Sequence, residues 1–347
     1  MKTQIGKGVW VHYLLCKEKS LKALEEEVCT TLTKKCSLEK GLPFIKIPNT
    51  INLEGQMLGF STTALINTQL LSEESITNQA TQILALIKKR IASPAKINCH
   101  VYSVTHKYGI IETGRAEILK DKLRVLLKKE QIFALRKNFD RSLAFVQVVV
   151  LANRSVAVSI LDVTEMELYH SLISPYIGGY HTVEDNKEAP SRAFKKILEA
   201  QDILGKYMGA GDVVVDLGAS PGGWSYIARQ QGADVIALDR SPLRKDLMAD
   251  KQVTFIKADA FKYSPQKSID WVISDIISIP ERVIELVTYW VIEKRCTHFV
   301  FTIKFHGHEN YMVLEKFKTL VKKCDYRVIL KQLNVNKNEV TIMGSRI

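Results

Sequence analysis

The segment that most constrains the fold is VVVDLGASPGGW, residues 213–224, where an apolar strand-like run leads through a glycine-rich turn into a helical pattern. The strand-like run within it, at 212–217, is followed by six more that are separated by helical patterns, at 234–238, 253–256, 271–274, 299–304, 327–330 and 340–343. Alternation of this kind predicts an α/β domain with a doubly wound, mainly parallel sheet. We place this domain at residues 191–347.

The preceding residues have a different pattern, which predicts two smaller α+β modules. In residues 1–72 we expect strands at 9–16, 44–47 and 57–60 and a helix at 21–32. In residues 73–165 we expect helices at 74–91 and 116–129, a strand at 97–104, and a hairpin from 145 to 161 that turns at Asn153-Arg154. Residues 166–190 lose periodicity and collect glycine, proline and acidic residues, which is typical of a linker.

Positive charge favours an anionic partner for the chain. The 347 residues carry a formal net charge of +12. Between Lys88 and Arg154 there are 15 basic and five acidic residues, so this stretch alone carries +10. A basic helix within it, at 116–129, is the expected contact surface for nucleic acid phosphates.

Several classes of protein are disfavoured by the sequence. The apolar runs are of strand length, far short of the roughly 20 residues that span a bilayer, and the first residues lack the features of a signal peptide. The six cysteines form no CxxC pair, so we expect neither a disulfide scaffold nor a zinc ribbon, and a cytoplasmic location. His306 and His308 have no further ligands at supportive spacing, so no metal is expected.

The glycine turn predicts a ligand site of a particular kind. Ser220 stands where a nicotinamide-type GxGxxG fingerprint needs its second glycine, which disfavours an NAD-dependent enzyme, and a P-loop would need Lys and Ser or Thr after the glycines. Carboxylates follow three strands, at Asp216, Asp239 and Asp259. Because ligands bind at the carboxyl ends of parallel strands, these groups suit an adenosine-containing ligand without a bound pyrophosphate. The alternative is that the glycines only make a tight turn and the aspartates only cap helices.

Together with DLGASPGGW, the segments SRAFKKILEA, VISDI, FTIKF and NEVTIM resemble one enzyme family. The C-terminal half is similar to the class I S-adenosylmethionine-dependent RNA 2′-O-methyltransferases of the FtsJ (RrmJ) group, and most similar to its RlmM type. That type methylates a ribose of large-subunit (23S-type) ribosomal RNA. The resemblance implies a Rossmann-like class I methyltransferase domain, S-adenosylmethionine as cofactor and RNA as partner. The N-terminal half resembles the RlmM type in layout alone, with a THUMP-like RNA-binding module at 73–165.

The family uses a Lys-Asp-Lys-Glu tetrad, which the resemblance places on Lys196, Asp275, Lys304 and Glu339. Lys304 is the candidate base, because it ends an apolar strand where desolvation and a nearby ammonium would favour its neutral form. Lys195 competes with Lys196 for the first position, and the spacing S-R-x-x-x-K favours Lys196. The resemblance also implies a cofactor pocket formed by Ser191, Gly218, Ser220, Pro221, Gly222, Gly223, Trp224, Asp239, Asp259 and Asp275.

Two other functions remain open from the sequence. The enzyme could methylate transfer RNA or another RNA. The chain could also be a catalytically inactive RNA-binding or ribosome-assembly protein with the same fold, although the four tetrad residue types argue against this.

Overall fold

The computed structural model describes residues 11–32, 39–41, 44–105, 109–111, 114–135, 138–305 and 311–347. The chain divides into two compact units, Met1–Tyr180 and His181–Ile347. Within the described ranges, no helix is both long enough and apolar enough to cross a membrane.

The first unit is built on a nine-stranded sheet with helices packed against it. Its strands are β1 (Val11–Leu15), β2 (Glu39–Gly41), β3 (Phe44–Pro48), β4 (Thr63–Leu71), β5 (Ala95–Thr105), β6 (Gly109–Ile111), β7 (Ile132–Ala134), β8 (Ala144–Val150) and β9 (Val156–Leu161). Its helices are α1 (Leu21–Thr31), α2 (Ile76–Arg90), α3 (Gly114–Lys129) and α4 (Val163–Leu168). The strand order is β2-β3-β1-β4-β9-β8-β5-β6, with β7 also paired to β5.

Helices α2 and α3 form because each places apolar residues at helical spacing on one face. Ala80, Ile83 and Ile87 of α2 are buried with an equivalent stripe of α3 against β5, β8 and β9. Ser75 begins α2 by accepting a hydrogen bond from Asn78 N. The predicted hairpin is confirmed: β8 and β9 pair antiparallel, and Arg154 adopts a positive φ of 60° in the turn between them.

One predicted strand of this unit is wrong, and four of its strands, β2, β4, β6 and β7, were not predicted. Residues 57–60 are not a strand, because the backbone N–H groups of Gly59 and Phe60 donate to the buried Glu27 carboxylate, at 2.7 and 3.0 Å, instead of pairing with another strand. The pairing with β1 is made by β4, a few residues later. The sequence of β4, TALINTQLL, lacks the regular alternation of a half-buried strand.

Part of the predicted linker packs within the first unit. Tyr169, Leu172 and Ile173 are buried. The Leu172 carbonyl accepts a hydrogen bond from Ala64 N of β4, at 2.9 Å. Residues 166–180 therefore lie with the first unit, while the division of residues 1–165 into two modules stays a prediction.

The second unit confirms the predicted doubly wound sheet. Its strands are β10 (Val213–Leu217), β11 (Asp234–Asp239), β12 (Val253–Lys257), β13 (Ile269–Ser274), β14 (Cys296–Lys304), β15 (Tyr326–Lys331) and β16 (Glu339–Arg346). Its helices are α5 (Phe194–Leu204), α6 (Gly223–Gln230), α7 (Lys245–Ala249), α8 (Pro280–Val287) and α9 (Val313–Val321). The order is β12-β11-β10-β13-β14-β16-β15, with β16 antiparallel to both of its neighbours and the other pairs parallel.

This topology determines where a site can form. The chain leaves β10 through α6 to β11 on one side and reaches β13 on the other, so the strand order reverses at β10. Ligands bind at such a switch point, beyond the carboxyl ends of the strands. Asp239 and Lys304 end β11 and β14 at this edge, and Glu339 joins them because antiparallel β16 begins where β14 ends.

Candidate active site

The glycine turn after β10 brings backbone close to the edge of the sheet. Gly218 has a positive φ of 78°, and a Cβ at this position would lie 2.8 Å from Ile276 Cγ1. Its N–H and that of Ala219 donate to the carbonyl of Leu238, at 2.8 and 3.0 Å. Because a side chain would be strained here and would strike Ile276, this turn requires glycine.

A cavity of about 560 Å³ opens beside this turn, within the usual range for sites that bind small molecules. Nine of the ten predicted cofactor residues line it: Ser191, Gly218, Ser220, Pro221, Gly223, Trp224, Asp239, Asp259 and Asp275. The tenth, Gly222, does not line the cavity. It has a φ of 108°, and a Cβ there would collide with Leu247, so its place is in the turn that begins α6.

The carboxylates at the strand ends also hold their own loops. Asp239 accepts hydrogen bonds from Ser220 N and Ser241 N, both at 2.9 Å. Asp259 accepts one from Phe261 N at 3.1 Å and lies 3.6 Å from the guanidinium of Arg240. Since both side chains also line the cavity, the capping and ligand-binding interpretations of these aspartates are compatible.

Asp216 lines the cavity as a buried carboxyl group. It is 2% exposed and accepts a hydrogen bond from Ser225 Oγ at 2.7 Å. Burial raises its pKa to about 7, and the nearby Asp275 and Asp239 carboxylates act in the same direction, while hydrogen bonds from Ser225 oppose the rise.

The predicted tetrad residues come together although they are far apart in sequence. Lys196 Nζ lies 2.9 Å from Asp275 Oδ1 and 2.7 Å from Glu339 Oε1. Lys304 Nζ lies 3.1 Å from the same Asp275 oxygen and donates to the Asp275 backbone carbonyl at 2.6 Å. Two lysine and two carboxyl side chains therefore form one cluster.

The members of this cluster differ in their access to the cavity. Lys304 and Asp275 line it, whereas Lys196 and Glu339 do not. Lys196 and Glu339 are nine-tenths or more buried, on α5 and β16. Lys195 points elsewhere and pairs with Asp185 at 3.2 Å. Lys304 is therefore accessible to a ligand in the cavity, and its position is fixed by contacts with Asp275.

Some cavity residues were missed by sequence reasoning. Arg282 lies over the ring of Phe261, 4.1 Å from its centroid, and both line the cavity with Arg240. Ile277 also lines it, yet is 78% exposed. No motif marks these positions, although Phe261 and Ile277 each lie two residues after a predicted aspartate.

The sequence also predicted that the chain holds no metal ion. The described residues contain no group of three or more His, Cys, Asp or Glu side chains arranged to hold a metal ion. His306 and His308 lie outside the described residues.

The second unit matches a known protein family. Residues 189–345 match the model of the FtsJ-like methyltransferase family. The second unit is an FtsJ-like methyltransferase domain. The predicted family resemblance and the predicted Rossmann-like methyltransferase fold are thereby confirmed for this part of the chain. The THUMP-like identity of the first unit stays a prediction.

The FtsJ-like domain has curated relatives that share one name. The chain is 33% identical over 179 residues to Ribosomal RNA large subunit methyltransferase M of Azoarcus sp. (strain BH72), covering 48% of this chain and 49% of that protein. It is 33% identical over 174 residues to the protein of that name from Thauera aminoaromatica, covering 47% and 48%. A third, from Marinobacter nauticus (strain ATCC 700491 / DSM 11845 / VT8), is 35% identical over 144 residues and covers 40% of each chain. The chain thus spans about half the length of the curated relatives it matches.

Proposed function

We propose that this chain is an S-adenosylmethionine-dependent methyltransferase that modifies the 2′-hydroxyl of a ribose in RNA, with large-subunit ribosomal RNA as its substrate. The observation that carries the proposal is the position of Lys304. Lys304 lines the cavity beside the glycine turn, and its Nζ contacts the backbone carbonyl and the side chain of Asp275. A lysine so placed can act on a hydroxyl group presented at the mouth of the cavity.

The cavity suits the donor in size and in chemistry. A ligand of this class has ribose hydroxyls and an adenine amino group, which are donors for the carboxylates of Asp239 and Asp259. The glycine turn lets the backbone approach the ligand, because a Cβ at Gly218 would meet Ile276. When bound, S-adenosylmethionine supplies a methyl group activated by the adjacent sulfonium.

The chain's own residues align the acceptor and accept one proton. Lys304 in its neutral form would take the proton of the ribose hydroxyl on Nζ, while the donor would supply the methyl group and keep the electron pair of the broken carbon–sulfur bond. One of its N–H groups donates to the Asp275 carbonyl, which orients the lone pair. Asp275 Oδ1 lies 2.9 Å from Lys196 Nζ and 3.1 Å from Lys304 Nζ, so it pairs with the Lys304 ammonium that forms when the proton has moved.

The choice of ribosomal RNA rests on the name shared by the curated relatives. The basic stretch from Lys88 to Arg154 in the first unit supports an RNA partner. An enzyme that modifies ribosomal RNA is expected in the cytoplasm, and the cysteine pattern also indicates this location.

The test supplies labelled S-adenosylmethionine to the full chain with extracted large-subunit RNA, intact large subunits or transfer RNA. Because a ribose lacking a free 2′-hydroxyl resists alkaline cleavage, label in alkali-resistant dinucleotides of the large-subunit RNA is the expected result. Label in transfer RNA alone would show that transfer RNA, and not large-subunit ribosomal RNA, is the substrate. Label on bases would refute ribose methylation. Donor binding without transfer to any of these RNAs would favour the inactive RNA-binding protein.

A further inference from the structure

A second cavity, in the first unit, has a composition that suits an unpaired nucleotide. It measures about 320 Å³ and is lined by Asn67 and Gln69 of β4, Leu86, Lys89 and Arg90 of α2, and Val158 and Ile160 of β9. We call it the Asn67 cleft. Its floor is aliphatic, while its rim carries two amides and two cations.

The cleft lies where the sheet opens. The β4–β9 ladder pairs Gln69–Leu71 with Val156–Val158 and does not continue along the rest of β9. On the other side of β4, Ile66 and Asn67 stand opposite a single residue of β1, His12. This is a β-bulge, a feature that redirects a side chain and interrupts pairing.

The bulge is held by buried polar groups. Asn67 has a positive φ of 45°, and its N–H donates to His12 Nδ1 at 3.1 Å. Gln147 donates to the Ala64 carbonyl at 2.9 Å, and Ser159 Oγ donates to the Ile66 carbonyl at 2.6 Å. Because a left-handed residue and buried polar side chains both cost stability, a bulge maintained in this way points to function.

The bulge leaves two amides available at the cleft. Asn67 and Gln69 line it together, and no described residue makes a hydrogen bond to the side chain of either. An Asn or Gln amide presents a donor and an acceptor that match the edge of a nucleobase. Val158 and Ile160 supply an apolar surface on which the flat base can lie.

The charges around the cleft favour a role for Lys89. Arg90 is committed to Glu165 at 2.5 Å and to Asp162 at 3.6 Å, and Lys88 is committed to Glu130 at 2.6 Å. No described residue pairs with Lys89, which lines the cleft and is exposed. Its ammonium is therefore free to contact a phosphate next to the bound base.

We propose that the Asn67 cleft binds one unpaired nucleotide of the RNA substrate, with Asn67 and Gln69 reading the base edge and Lys89 contacting the adjacent phosphate. The site rests on the proposed function in so far as its ligand is the RNA that the second unit modifies.

The test measures binding of fluorescein-labelled hexamers of rA, rC, rG and rU to the full chain by anisotropy. Asn67→Gly combined with Gln69→Leu removes both amides, and glycine keeps the positive φ at the bulge. We expect the wild type to prefer one hexamer, and the double variant to bind that hexamer about tenfold more weakly and lose the preference. Thermal unfolding of the variant controls for folding.

Lys89→Gln is compared with Lys19→Gln, an equal change of charge at an exposed residue of the first unit that lies outside both the cleft and the basic stretch from Lys88 to Arg154. Lys89→Gln should weaken all four hexamers alike and reduce the salt slope by about 0.7, the value for one single-strand phosphate contact. Any of three results would overturn the proposal: the chain binds no hexamer, it binds all four equally well, or the two lysine changes have equal effects.

Methyl transfer, assayed separately, distinguishes the two proposals. If the wild type modifies ribosomal RNA and the double variant binds and modifies it equally well, the cleft proposal alone fails. If the wild type transfers no methyl group to RNA yet shows the expected hexamer preference, the proposed function alone fails.

Discussion

Lys196→Met tests whether the buried ion cluster is held by its central lysine. Lys196 lies 2.9 Å from Asp275 and 2.7 Å from Glu339, so at an effective dielectric constant of about 20 each contact contributes roughly 6 kcal/mol of Coulomb attraction. Much of this offsets the cost of burying the charges. Removing one partner of a buried pair typically costs about 3–5 kcal/mol, because the remaining charge is left uncompensated.

We therefore expect Lys196→Met to lower the unfolding temperature of the second unit by roughly 10 °C at pH 7, measured by calorimetry. Adding Glu339→Gln should restore part of this loss, because it removes the carboxylate that Lys196→Met leaves unpaired. Lys195→Met is the matched control: its partner, Asp185, is largely exposed, so the change should be small. The reasoning would be refuted if the two lysine changes lowered the unfolding temperature equally, or if adding Glu339→Gln to Lys196→Met did not raise it.

Four further predictions concern the donor cavity, its mouth and two buried titratable groups. Gly218→Ala should weaken S-adenosylmethionine binding, measured by calorimetry, by at least tenfold, because its Cβ would strike Ile276 at a position with positive φ; unchanged affinity would contradict the assigned turn. Ile277→Ser should raise the KM for RNA without changing donor affinity, since this exposed isoleucine lines the mouth of the cavity, and Ile347→Ser at the exposed chain end should change neither. Asp216 binds a proton more readily in the folded state, with a pKa of about 7 against 3.8, so the second unit loses stability as the pH rises from about 4 to 7. Asp216→Asn should therefore unfold at a higher temperature than the wild type at pH 8 but not at pH 4; equal curves would refute this. Burial lowers the pKa of His12 from 6.5 to about 4, so protonation favours the unfolded chain, and calorimetry should show the first unit losing stability as the pH falls from 6.5 towards 4.

The second unit was largely predictable because its central strands, β10, β13 and β14, are buried on both faces. Their continuous apolar runs, such as VVVDL and FVFTIK, stand out against the helices between them. The order of the strands and the meeting of Lys196 with Glu339, 143 positions later, do not follow from spacing alone. Family resemblance supplied that step, and the register that places Lys304 opposite Glu339 explains it physically.

The first unit was less predictable, for reasons visible in β4. Thr68 and Gln69 interrupt its apolar pattern because the strand contains the bulge at Asn67. Residues 57–60 look like a strand, yet Glu27, distant in sequence, binds their backbone. Cavity residues such as Arg282 and Phe261 were missed because tertiary packing, and no local motif, brings them to the site.

The central claim is that Lys304 accepts the proton of a ribose hydroxyl during methyl transfer. The most direct test is the single-turnover rate of ribose methylation by Lys304→Arg, with Lys245→Arg on the exposed start of α7 as control. Arginine keeps the positive charge but stays protonated, with a pKa above 12, so it cannot act as a base. We expect a loss of at least a hundredfold for Lys304→Arg, with donor binding intact and the control unaffected. A rate within a few fold of the wild type would contradict the account, because positive charge alone would then suffice.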